Sequence, residues 1–268
     1  MSKRTDAVLR YVAAVSDPGD PTVAAVAPVL AEDVSIKTPL GDVTGKADVL
    51  ASLAQPSNAL PLATATWGSP SEEGDAASVS AAMPPGMAIG SIEYMFSFDI
   101  DDRISRVAQQ VRLAPPGPPP KPTLVHLTQE MTDALAGALL NRRPVVVAYV
   151  DGDGQPHLSY RGSTQVLSTD QLAMWVRDPN GGLVKAIPDQ PKLALLYRDF
   201  ETRTHYQFLG RGWVTSDEAT RRAVYDASPE PERNFDSDQR GAAIVVDVDR
   251  VEGAVAGVQF RMARDAAG

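Results

Sequence analysis

Apolar positions in the first part of the chain recur at helical spacing and then change period. Val8, Tyr11, Val12 and Val15 lie three or four residues apart, the stripe by which a helix covers a core. Asp17-Pro18-Gly19-Asp20-Pro21 breaks that stripe, and a second helical pattern runs from Thr22 to Leu30, with Thr22 after Pro21 as its expected cap. Val34 to Lys37 comes next as a short apolar stretch, then a turn at Pro39-Leu40-Gly41-Asp42 and a short helix from Lys46 to Leu53. Beyond it the pattern alternates in Ala63 to Trp67, Ala77 to Ala81, Ser91 to Phe98 and Ile104 to Val111. The last two flank Asp99 to Arg103 and predict a hairpin.

Ala114 to Pro122 holds six prolines in nine residues, which can neither continue a helix nor donate along a β-ladder. It reads as a semi-rigid polyproline spacer; the alternative is a docking site for a proline-recognising domain. After it, Thr128 caps a predicted helix with Glu130 in its first turn and Met131, Leu135, Ala138 and Leu139 on its apolar face. Strands are expected over Pro144 to Asp151, Pro156 to Tyr160, Gln171 to Arg177, Leu193 to Arg198, His205 to Thr215 and Ala242 to Val251, with a helix over Asp217 to Tyr225. Gly152-Asp153-Gly154 has no helix behind it and is read as a hairpin turn, not a dinucleotide loop.

Composition narrows the function classes. The 268 residues carry a net charge of −9, with eight basic and fourteen acidic residues in 1–115 and sixteen and twenty in 124–268. Acidity in both halves argues against nucleic acid or an anionic membrane surface as partner, because such binding rests on phosphate neutralisation. With no cysteine there is no thiolate nucleophile or disulfide. His126, His157 and His205 lack the spacing of metal ligands, so no metal site is expected. The amphipathic start after Met1 and the lack of long apolar runs imply no signal peptide and no membrane span, hence a cytoplasmic protein.

Candidate chemistry gathers after Tyr149: Ser159-Tyr160-Arg161-Gly162-Ser163, then Trp175-Val176-Arg177-Asp178-Pro179, then Lys185, then Gln190-Pro191 leading into Leu193 to Tyr197. Cations and hydroxyls at the ends of apolar strands suit a dianionic phosphate, arginine as a planar fork, lysine as a point charge and serine as a short donor. Taken singly, these residues also fit solvated strand ends and core aromatics. In order, the segment resembles the pyridoxamine 5′-phosphate oxidase-like FMN-binding split barrels. That resemblance implies a barrel over 124–268 with cofactor contacts at Arg161, Gly162, Ser163, Thr164, Trp175, Val176, Arg177 and Lys185. It places His205 at a contact supplied by the partner protomer, and so implies a homodimer. The function implied is a flavin-dependent oxidoreductase acting on a small molecule. The alternatives are a reductase using the deazaflavin cofactor F420, or a non-enzymatic flavin or small-molecule binder. The short segment Val258 to Arg264 leaves no carboxy-terminal extension of the kind pyridoxal-producing members carry, and Arg261 and Arg264 read as surface charges.

Residues 1–113, helices followed by alternating strands, resemble the NTF2-like (SnoaL-like) cone. The fold class expected is therefore α+β: helices on a curved antiparallel sheet, a linker over 114–123, then the split barrel. Where a ketosteroid isomerase of that fold carries an aspartate base before Pro-x-Gly, this chain has Thr38-Pro39-Leu40-Gly41. A threonine hydroxyl is too weak a base near neutral pH, and Tyr11 fits the helix stripe as well as an oxyanion donor. A non-catalytic pocket or dimerisation domain is the expectation there.

Overall fold

A computed structural model describes residues 1–17, 19–39, 41–55, 62–115 and 117–264. Pro18, Leu40 and Pro116, within the expected break, turn and linker, lie outside the described residues. The chain divides into two compact units, one of Met1–Pro119 with Phe200–Arg203 and Val255–Val258, the other of Pro120–Asp199, Thr204–Ala254 and Gln259–Gly268. The fold is mixed α and β, mostly sheet.

In the first unit, α1 (Lys3–Ser16) starts at Ser2, whose hydroxyl accepts from the Thr5 N–H, and buries Ala7, Val8, Tyr11, Ala14 and Val15 on one stripe. The second helix, α2 (Asp20–Val26), is capped by Gly19 and not by Thr22. Pro21 fits the first helical turn, where its missing N–H costs nothing, so the helix begins ahead of it. Thr22 lies inside that turn and donates to the Gly19 carbonyl at 2.7 Å. A 3-10 turn, Ala27–Val29, then ends the helix, and β1 (Leu30–Thr38) starts four residues before the expected Val34.

The remaining elements of this unit are β2 (Gly41–Thr44), α3 (Lys46–Leu53), β3 (Thr66–Trp67), β4 (Ser71–Glu73), β5 (Ala76–Ala82), β6 (Ile89–Phe98) and β7 (Ile104–Leu113). The sheet runs β2-β1-β7-β6-β5-β3, with β4 also on β5. One expectation fails: β1 runs parallel to β7, so the sheet is mixed rather than antiparallel. The strand expected over Ala63 to Trp67 shrinks to β3, and the wholly exposed β4 has no apolar pattern to announce it.

The second unit contains β8 (Thr123–Leu124), α4 (Gln129–Gly137), β9 (Val145–Val150), β10 (Pro156–Arg161), β11 (Gln165–Ser168), β12 (Gln171–Val176), α5 (Gly182–Ala186), β13 (Lys192–Asp199), β14 (Thr204–Val214), α6 (Glu218–Asp226), α7 (Glu230–Asn234), β15 (Ala242–Val255) and β16 (Val258–Ala263). Thr123, expected in the linker, is thus the first residue of a strand, pairing with Met262 of β16. Thr128 caps α4, accepting from the Met131 N–H. Arg264 is not a free surface charge: it bonds Asp170 at 3.0 Å and the Val248 carbonyl at 3.1 Å.

The main sheet path is β10-β9-β13-β14-β15-β12-β11. Laid flat, seven strands about 4.8 Å apart would separate the edge strands by roughly 29 Å. Yet β10 and β11 are consecutive, joined only by Gly162, Ser163 and Thr164, and four residue steps reach at most about 14 Å. The sheet must therefore curl until its edges nearly meet. Leu172, Met174 and Val176 of β12, Val145 and Val147 of β9, and Ile244, Val246 and Val248 of β15 fill the interior.

Curling this tightly needs a local bend. The β14–β15 register slips between Leu209 and Gly210, and a Cβ on Gly210 would sit 2.1 Å from the Asp247 carbonyl oxygen. We expect Gly210→Ala to destabilise the unit by at least about 2 kcal/mol, since two strands must separate to admit one methyl. Urea unfolding followed by circular dichroism measures this; an unchanged midpoint would show that the bulge is not set by Gly210.

Candidate functional site

The register of β9 and β10 fixes where the candidate cation points. Arg161 pairs with Val145, Ser159 with Val147 and His157 with Tyr149. Directly opposed residues share a face of the sheet, and Val145 and Val147 are fully buried. Arg161 is therefore directed inward, while Leu158 and Tyr160 stand on the outer face, 74% and 71% exposed. Burial pushes the Arg161 guanidinium pKa down, opposed by Tyr149 and Glu232 and reinforced by Arg177. An arginine remains charged through such a shift. Its Nε is buried without a hydrogen-bond partner, as is the Ser159 hydroxyl, and one terminal nitrogen donates to the Tyr160 carbonyl at 3.3 Å.

The connection after Arg161 is bonded into the sheet. The buried Ser163 hydroxyl accepts from the Trp175 N–H at 3.0 Å and donates to the Trp175 carbonyl at 2.8 Å. Thr164, also buried, donates to the Arg161 carbonyl at 3.1 Å. Gly162 lies where a Cβ would come within 2.6 Å of Glu232 Oε1 and 3.0 Å of the Leu139 methyls. Arg177, just past β12, has its Nε 3.7 Å from Glu232 Oε2 and its guanidinium 5.1 Å from the Phe235 ring centre.

Alternation along β12 separates two neighbours. Val176 faces the interior, whereas Trp175 packs with Val224, Tyr225 and Ala243 on the other side. The Trp175 indole donates to Asp236 at 2.8 Å and lies 4.9 Å under the Arg221 guanidinium. Burial opposes the Asp236 charge, but hydrogen bonds from Gly241, Trp175 and Arg240 and the charge of Arg221 outweigh it and hold its pKa below the usual aspartate value.

Lys185, expected after a turn, instead lies exposed on the last turn of α5, whose first residue comes after the helix-starting Gly181. Tyr149 ties this helix to the Arg161 face: a Cβ on Gly182 would meet its hydroxyl at 2.6 Å. His205 of β14 pairs with Arg198 of β13, between the inward Thr204 and Tyr206, and so faces outward. Burial, then the charge of Arg198, pushes its pKa down and favours neutral imidazole. The structure thus gathers Arg161, Gly162, Ser163, Thr164, Trp175 and Arg177 at one corner, approaches it with the helix of Lys185, and sets His205 on the outer surface.

Three further neighbours of the corner are not singled out by sequence. Tyr149 continues the inward stripe of Val145 and Val147, a signal present in the alternation. Glu232 and Asp236 come after Pro229-Glu230-Pro231, whose acidic first turn marks a short helix but not its neighbour in space. Beside the corner lies a cavity of about 290 Å³ lined by Ala136, Leu140, Thr164, Gln165, Pro229 and Glu230, among others. Of the expected contacts, only Thr164 lines it. Among the described residues no helix is long and apolar enough to cross a membrane.

No protein-family model matches the chain, and no curated protein matches it. Solved structures similar to it include Group A Streptococcus HupZ, with 22% identity over 49% of this chain and 97% of that one and a TM-score of 0.38. Another is a pyridoxamine 5′-phosphate oxidase-related, FMN-binding protein from Nostoc punctiforme, with 16% identity, 50% and 87% covered and a TM-score of 0.41. A third is a Clostridium acetobutylicum protein related to general stress protein 26, of the pyridoxinephosphate oxidase family, with 10% identity, 52% and 97% covered and a TM-score of 0.40.

The anchoring of Trp175 is testable. Asp236→Ala leaves the indole N–H and the Gly241 N–H without their acceptor, and we expect a loss of about 1–3 kcal/mol. Because the Asp236 pKa is depressed on folding, its contribution is complete above the unfolded aspartate pKa and fades as pH falls through the folded value. Chemical unfolding should therefore separate variant and parent near neutral pH and bring them together in strong acid. A gap that persists in strong acid would contradict the assignment.

Proposed function

We propose that the second unit binds FMN with its phosphate at the Arg161 corner, and that the protein is a flavin-dependent oxidoreductase acting on a small molecule. The observation that carries this reading is the buried, unpartnered Nε of an inward-facing arginine at the meeting edges of the barrel. A desolvated guanidinium without a bonded carboxylate is costly unless an anion completes it, and phosphate oxygens match its fork. Arg161 and Lys185 would hold the phosphate, with the Gly162–Thr164 connection beside it. Ser163, already bonded twice to Trp175, would act by fixing the corner. When bound, the flavin supplies hydride or electron transfer, while the protein contributes binding, orientation and exclusion of water.

On this reading the first unit is an NTF2-like accessory without isomerase chemistry. Thr38 donates its hydroxyl to the Gly41 carbonyl at 2.9 Å. Burial pushes the Tyr11 and Tyr94 phenols far above their ordinary pKa, which keeps both protonated.

Assembly belongs to the same proposal. The outward faces of β10, β9 and β13 set Leu158 and Tyr160 beside Val146, Ala148, Ala194 and Leu196. Exposed contiguous apolar surface of this kind marks an interface, and a second copy of the chain is the occupant we propose, with His205 on the same outer surface.

Three measurements test these statements. Arg161→Ala should weaken FMN binding by about 1.5–3 kcal/mol in a fluorescence titration; an unchanged dissociation constant would remove the phosphate assignment. Mass spectrometry of cofactor released from purified protein identifies flavin against deazaflavin directly. Light scattering should give twice the 28.5 kDa chain mass at micromolar concentration, and Tyr160→Glu should return it to the single-chain value. A monomeric parent protein would sink the dimer.

A further inference from the structure

Glu232 lies beside the Arg161 corner. Its Oε1 lies over Gly162, close enough that any side chain at 162 would strike it. Its Oε2 is 3.7 Å from Arg177 Nε, and its side chain is only 18% exposed. The same carboxylate attracts the half-buried Arg161. Glu232 thus pairs loosely with Arg177 and lies in the field of Arg161 without an ion pair to it. A separation of 3.7 Å is beyond the usual hydrogen-bond range, so Glu232 is held by attraction without a tight bond.

The element that carries Glu232 is short and exposed. The α7 helix has five residues and buries none of them, and Phe235 at its end is exposed above Arg177. The loop beyond α7 is firmly anchored by contrast: Asp236 accepts from Trp175, Gly241 and Arg240. Tyr225 donates to the Asp236 carbonyl at 3.1 Å and, at 3.3 Å, to the carbonyl of Arg233 within α7, whose guanidinium in turn donates to the Asp226 carbonyl. With α7 tied in this way, displacing the carboxylate requires only a turn of the Glu232 side chain, which is 3.7 Å from Arg177 and holds no tight bond.

We propose that Glu232 is an internal competitor for the anion site, so that a phosphate monoester binds at the Arg161 corner only by displacing the Glu232 carboxylate. This rests on the reading of that corner as a phosphate site, and it makes Glu232 a determinant of which anions bind. A singly charged carboxylate ligand gains little over Glu232 itself, whereas a dianionic phosphate has the charge to replace it.

The test uses the full-length protein, with inorganic phosphate as the probe of the corner and FMN as the probe of the flavin reading. Glu232→Gln should tighten phosphate binding roughly tenfold in calorimetry. Glu230→Gln, an equal change of net charge at an exposed position on the same helix, should leave it unchanged. Equal gains in both variants, or a gain in neither, would overturn the proposal. Glu232→Ala gives the same readout should the glutamine variant fail to fold. If FMN binds neither protein while the phosphate gain persists, the flavin reading falls and the competitor stands. If FMN binds parent and Glu232→Gln equally, the competitor falls and the flavin reading stands.

Discussion

Three residues, Gly162 to Thr164, close the second unit. They join the two edge strands of a seven-strand path, and their short reach compels the sheet to curl. The whole candidate site depends on that closure. Two edges brought together have no ladder between them, and the connection substitutes for one: the Ser163 hydroxyl bonds both polar groups of the Trp175 peptide. A buried peptide left unpaired costs more than a hydrogen bond returns. Ser163 therefore serves β12 before it can serve any ligand, and its first role is architectural.

The same closure carries Arg161 inward. Its register opposite Val145 leaves no other face for it, and the guanidinium loses water without gaining a bonded carboxylate. Removing a charge from water without pairing it is among the least favourable arrangements a fold can hold. Glu232 offsets part of that cost from outside the corner, and Arg177 adds to the positive field rather than relieving it. The local balance favours an added anion even though the whole chain carries −9. Net charge bears on partners that read the surface at large; it says little about a corner shielded by its own walls.

How much of this is legible in the sequence depends on range. Period-two alternation marks β9, β10, β13 and β14, which turn one face inward, whereas β12 buries both faces and shows as an apolar run. That alternation marks Arg161 as a strand-end cation, and the helix cap Thr128 is visible as a hydroxyl ahead of an apolar stripe, whereas Asp217, read as the first residue of its helix, is its cap. Elements without a clean stripe stay hidden: the five-residue α5 and α7, the four-residue β11, and β16, none of whose residues is fully buried. Thr22 is misplaced by pattern alone because Pro21 suits the first turn of a helix as well as the boundary before one. The parallel pairing of β1 with β7 joins residues some seventy positions apart, and no local pattern records it. Glu232 is hidden for the same reason, since its meaning lies in being opposite Gly162.

Gly162 ties closure and charge together. Its φ is not in the left-handed region, so no backbone conformation demands glycine there. What demands it is space, because a Cβ would meet Glu232 on one side and Leu139 on the other. A residue read as one of several cofactor contacts thus has a packing reason to be small whether or not a ligand approaches. The approach it permits is that of an acidic side chain to a buried cation. An oxygen of any other anion arriving at Arg161 would meet the same opening, and the lack of a side chain at 162 leaves the corner equally accessible to both.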